Sequence, residues 1–157
     1  MILTFIQTND EILKSVKQKS SLIAERQPDL FDQLVFDEEY LILFRRLFLD
    51  ARANVISACS AYLKGQSDES YFDTQDFSND KDFIIGLDIN NFVIAVKDSV
   101  DVKMKEYLSD FILYQWLKDK SQLSEVYRMS AETNLQDMKR FLEMRTTRRK
   151  IKSNSAW

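Results

Sequence analysis

Histidine is absent from the chain, which removes the side chain most used for proton transfer near neutral pH and for holding transition metals. Carboxylates, one thiol and several arginines are left to do chemistry. Glu106, Glu125 and Glu132 fall on helical segments without a partner base. Di-iron helical sites need a Glu-x-x-His step that this sequence does not contain, so the three glutamates read as surface charge. Cys59, the single cysteine, stands among Val55, Ile56 and Ala58 and reads as an inert core thiol, because a reactive one needs a base or a cation beside it. One cysteine also leaves no intrachain disulfide to form, which fits a reducing compartment.

Two stretches imitate binding motifs and fail on their residues. Asp76 to Asp82 opens like a calcium loop, yet Lys81 occupies the position that needs glycine and Leu87 the position of the bidentate glutamate. Gly65 and Gly86 stand alone, so no glycine-rich loop cradles a phosphate. No metal and no cofactor is expected, and the chain reads as a non-enzyme. Arg45, Arg46 and Arg52 sit mid-helix and read as ordinary surface cations. The basic end, Arg145, Arg148, Arg149, Lys150 and Lys152 with Trp157, suits three roles: solubilising the chain, lying along nucleic-acid phosphate, or docking on an acidic protein surface with Trp157 as anchor. Tyr71, Phe72 and Phe77 are unusual company for a purely solvated stretch. Together with Arg148, Arg149 and Trp157 they are the expected partner-binding residues.

The elements that would position these residues follow from composition and period. With 157 residues the chain is one domain, 1–157, long enough to bury a core. Two glycines and one proline are too few for a turn-rich sheet architecture and point to few, long helices. The net charge of −3 gives no overall attraction to nucleic acid or membranes. MILTFIQ at the start is too short to span a membrane and lacks the basic start and cleavage site of a signal peptide, which predicts a cytosolic origin.

Thr8 followed by Glu11 matches a capping box, with Ile12, Leu13, Val16, Leu22 and Ile23 giving a stripe to Arg26 and the Lys14, Lys17 and Lys19 face solvated. Pro28 opens a short helix whose inner side would be Leu30, Phe31, Leu34 and Val35. Asp37 starts a helix to Lys64, with Gly65 as its cap. Phe92, Val93, Val96, Val100, Met104, Tyr107, Leu108, Phe111 and Ile112 recur at helical spacing through Asn91 to Lys118, the stretch that the rest must cover. Leu123, Val126, Tyr127, Leu135, Met138, Phe141 and Leu142 line a last helix, Ser124 to Arg148. Residues 66–89 read as an acidic loop and extended insertion, in which Phe83 to Ile89 forms a short strand needing MILTFIQ or a neighbouring subunit as partner. Residues 149–157 read as a flexible basic tail. The expectation is an all-α fold, an antiparallel bundle of about four helices with a long acidic loop and a basic C-terminal tail.

DFILYQWLKDK (Asp110 to Lys120) and SEVYRMSAETNLQDMKRFLEMRTTRRK (Ser124 to Lys150), preceded by DARANVISACSAYLKG (Asp50 to Gly65), resemble the small helical head–tail connector, or adaptor, proteins of tailed bacteriophages. A long helix ending in an aromatic-rich turn is followed by a helix of the form Tyr-x-x-Ala-x-x-x-Leu, for which Tyr127, Ala131 and Leu135 stand here with one extra residue between the tyrosine and the alanine, leading to a basic end. The connecting loop departs from the family's glycine- and proline-rich one, being acidic here. The resemblance implies a structural virion protein made in the host bacterial cytoplasm. Its copies would form a homo-oligomeric ring between portal and tail, line the DNA passage and bind portal or tail proteins. The alternative is a cytosolic helical regulatory or partner-binding protein of bacteria whose basic tail contacts nucleic acid.

Overall fold

A computed structural model describes residues 1–63 and 82–146. The chain is mostly helical, and the expected all-α class is corrected by a two-stranded sheet. Strand β1 (Ile2–Gln7) pairs antiparallel with β2 (Phe83–Asp88), from Ile2 opposite Asp88 to Gln7 opposite Phe83. Strict alternation turns Leu3, Phe5 and Gln7 inward, where Leu87, Ile85 and Phe83 face them across the ladder, while Ile2, Thr4 and Ile6 point out. MILTFIQ is therefore the partner of the second strand within the same chain.

Helix α1 (Asn9–Arg26) begins as its capping box requires, with the Thr8 hydroxyl accepting from the Glu11 amide at 3.3 Å. Ile12, Val16 and Ile23 are buried as the stripe predicts, but Leu22 is 61% exposed and Ser20 takes the inner position. Ser20 Oγ donates to the Lys17 carbonyl and accepts from the Phe36 amide, both at 3.0 Å. This ties the following turn to α1. That turn, a 3₁₀ turn Pro28–Leu30 and the short α2 (Phe31–Leu34), buries Leu34 and then Phe36 and leaves Phe31 exposed, a correction to the expected inner side. Trp116 Nε1 donates to the Leu34 carbonyl at 2.9 Å, closing the same corner from the far helix.

Helix α3 (Leu41–Ala58) is shorter than the expected Asp37–Lys64 span. At its start the Tyr40 amide bonds the Asp37 carbonyl, and beyond its end Tyr62 bonds Cys59, so both flanks tighten into 3₁₀ turns. Helix α4 (Lys97–Leu117) starts six residues later than Asn91. Asn91 has φ 55°, a left-handed conformation that a helix cannot accommodate, and its carbonyl accepts from the Thr146 amide at 2.8 Å. Phe92 bridges to Arg145, which also ends α5 (Ser124–Glu143) short of Arg148. Within α5, Val126 is 57% exposed rather than inward, and Ala131, Asn134, Met138 and Leu142 form the buried face.

Helix α4 is the axis. It packs against α1, α3 and, most extensively, α5, with β1 against its start. Val100, Met104, Leu108, Ile112, Leu113 and Leu117 are wholly buried, and Trp116 nearly so, which takes in almost the whole circumference of its second half. No helix among the described residues is long and apolar enough to cross a membrane.

Candidate functional site

The α4–α5 hairpin carries two features that periodicity alone does not announce: a polar cluster buried between three helices, and an open aromatic groove on another side of α4. Asp110 is 3% exposed in the middle of the most apolar part of α4. Its carboxylate accepts from Lys19 Nζ at 3.0 Å, Ser130 Oγ at 2.7 Å and Asn134 Nδ2 at 3.1 Å. Lys19 donates also to Glu106 at 2.8 Å, and Lys103 reaches Asn134 Oδ1 at 3.4 Å and Asp137 at 3.4 Å. One charge network thus fixes the register of α1 and α5 on α4, because shifting either helix leaves a buried charge without its donors. Burial works against the Lys19 charge, but the Glu106 hydrogen bond and Asp110 outweigh it and hold the ammonium above its ordinary pKa. Lys19 is accordingly not part of a solvated lysine face.

The groove, about 270 Å³, lies between α4 and α5. Tyr107, Phe111 and Tyr114 follow one another on α4 at helical spacing and form its floor, with ring centroids 5.9 Å and 6.4 Å apart. Ala131 and Leu135 of α5 make the opposite wall. Tyr107 is nearly buried and hydrogen-bonds Asn54 of α3, and its burial raises the phenol pKa more than that bond lowers it. At the rim, Arg128 donates to Glu125 at 2.9 Å and to Glu132 at 2.7 Å, an i−3 and i+4 pair that pins the guanidinium. A partly exposed aromatic floor with a fixed charged rim can hold an apolar or aromatic side chain.

Of the expected partner-binding residues, Tyr71, Phe72, Phe77, Arg148, Arg149 and Trp157 all lie outside the described residues, as does the calcium-like stretch from Asp76 to Lys81. Glu106, Glu125 and Glu132 are at the surface in ion pairs. Arg52 corrects the surface reading: it is 8% exposed, with its guanidinium 4.3 Å from the Phe48 ring centroid and 5.6 Å from that of Phe83. Burial lowers its pKa, opposed by Asp82. Cys59 is buried, and burial pushes its thiol up to about 12 despite Lys139 nearby, so little thiolate exists at neutral pH. Among the described residues no group of three metal-ligating side chains gathers.

Sequence reasoning missed Asp110, Ser130, Asn134 and Lys19. One signal was present: Asp110 interrupts an otherwise apolar helical face, and Ser130 and Asn134 stand one turn apart between Tyr127, Ala131 and Met138. No protein-family model, curated protein or solved structure matches this chain.

Proposed function

We propose that the protein is a non-enzymatic assembly subunit, a head–tail connector or adaptor of a tailed bacteriophage. In this reading its copies form a ring between portal and tail, and a helical bundle supplies the rigid body of each subunit. One observation carries the reading. The two segments on which the resemblance rests, Asp110 to Lys120 and Ser124 to Lys150, supply most of the groove, with Phe111 and Tyr114 on its floor and Ala131 and Leu135 on its wall. Assembly proteins work by presenting such anchoring hollows, and a ring requires one patch to receive a different patch of the next copy. The buried Asp110 network on another side of α4 suits that role, since a docking face is effective when its two helices cannot slide.

The test is native mass spectrometry of the purified full chain over a concentration series, with negative-stain images of the same samples. Closed rings of one defined subunit number are expected. A strict monomer throughout the series, combined with duplex DNA binding that falls steeply as salt rises, would overturn the assembly reading in favour of a regulatory protein with a nucleic-acid-binding tail.

A further inference from the structure

We propose that in the free protein the α4–α5 groove is occupied by Trp157 of the same chain. The hollow holds about 270 Å³, just below the ~300 Å³ at which sites for drug-sized ligands begin. A hollow of this size can accommodate one large side chain. Its floor of Tyr107, Phe111 and Tyr114 offers ring faces and edges against which a further aromatic ring packs edge-on or offset. The Glu132 carboxylate at the rim is an acceptor within the same site, suited to an indole N–H, a group that a phenyl ring lacks.

Reach selects the occupant. The described chain ends at Thr146, whose amide and hydroxyl are both held by the Asn91 carbonyl, at 2.8 Å and 3.3 Å, so the departure point is fixed. At 1.5 Å per residue the wall from Leu135 to Arg128 lies about 12–22 Å back along α5 from Glu143, and the three residues from there to Thr146 add up to about 10 Å. Trp157 follows Thr146 by eleven positions; a random-coil chain of that length has a root-mean-square span of about 18 Å and a fully extended one reaches about 36 Å. An intramolecular partner is most effective when its span matches the distance, with an effective concentration in the millimolar range, above that of a second copy in dilute solution.

Direction and charge agree with this. Arg145 lies 5.7 Å from the ring centroid of Tyr62, in the turn that continues α3, and α3 is the helix whose Asn54 bonds the groove residue Tyr107. Arg145, one residue before the last described position, thus lies on the α3 side of the hairpin, where Tyr107 also lies. Arg148, Arg149, Lys150 and Lys152 come with Trp157 and no acidic residue accompanies them, while Arg128 at the rim is set against two carboxylates, Glu132 beside it in the lining and Glu125 one turn back. The proposal does not depend on ring formation, since a monomer would show it equally.

The experiment uses the full chain with the photo-crosslinking residue benzoylphenylalanine in place of Trp157. Equal amounts of ordinary and ¹⁵N-labelled protein are unfolded, mixed and refolded together so that any assembly contains both, then irradiated and digested, and the crosslinked peptides are identified by mass. Crosslinks to peptides containing Tyr107 to Tyr114 or Arg128 to Leu135, with both halves of the same isotope, are expected. Leu135→Glu in the same chain, its fold checked by circular dichroism, should reduce their yield about tenfold, equivalent to about 1.4 kcal/mol. Crosslinks of mixed isotope would assign the groove to a second copy, and crosslinks scattered elsewhere would leave it without this occupant. Either result overturns the proposal.

Discussion

Asp110→Ala is the perturbation that tests the packing argument most directly. The substitution removes a nearly buried carboxylate that accepts three hydrogen bonds, from Lys19, Ser130 and Asn134. Breaking a buried ion pair by deleting one partner costs about 3–5 kcal/mol, because the other charge is stranded. Here the stranding is incomplete: Lys19 keeps Glu106 at 2.8 Å and its side chain is 26% exposed, and Asn134 keeps Lys103. We therefore expect a loss of about 2–4 kcal/mol for Asp110→Ala and about 1–2 kcal/mol for Asp110→Asn, which preserves shape and one acceptor. Urea denaturation at neutral pH measures both, and the denaturant slope should not change if the native body remains compact. A double-mutant cycle with Lys19→Met isolates the pair and should give a coupling of about 1–3 kcal/mol. A cost for Asp110→Ala below about 1 kcal/mol, or additivity with Lys19→Met to within about 0.5 kcal/mol, would refute the claim that this network fixes α1 and α5 on α4.

Ser20→Ala takes the acceptor from the buried Phe36 amide and should destabilise by about 1–3 kcal/mol in the same urea assay. Thr8→Ala removes the α1 cap and should cost about 1 kcal/mol, visible as a loss of that helix's amide-exchange protection before the rest. For Cys59 the ordinary thiol value of 9.0 and the folded value of about 12 mean that the unfolded chain loses its proton first. Stability must then fall as pH rises above 9.0 towards 12, with a slope approaching about 1.4 kcal/mol per pH unit. The phenols of Tyr107 and Tyr127 and the Lys19 ammonium, raised from ordinary values of 10.0 and 10.5, add slopes of the same sign that grow towards pH 10, so Cys59→Ala should flatten the thermal-melt profile most clearly close to pH 9. An unchanged slope would remove the thiol from the account.

Short-range information was enough for much of the architecture. Thr8 and Glu11 mark the start of α1 because a cap is decided within one turn, and the three-and-four spacing from Val100 to Ile112 determines the buried side of α4 because a helix repeats over the same few residues. Scarce glycine and proline established a helical body, whereas the apolar run Ile2 to Ile6 suited an extended arm or the lead-in to a helix equally, and its period could not decide between them. What the local pattern could not supply was the identity of distant partners. Pairing of β1 with β2, the left-handed turn at Asn91 that delays α4, and the Phe92–Arg145 bridge that ends α5 all join segments far apart in the chain.

The same holds, more strongly, for polar groups. Lys19 looked like one of three solvated lysines, and only packing brought it to Asp110, 91 residues away. Arg52 looked like surface charge until Phe48 and Phe83 closed over it. A residue's period says which way it points, but whether it meets water, a charge or a ring depends on the element packed opposite. For the same reason Tyr107, Phe111 and Tyr114 were legible as an apolar stripe, and only the placement of α5 left part of that stripe uncovered as a groove.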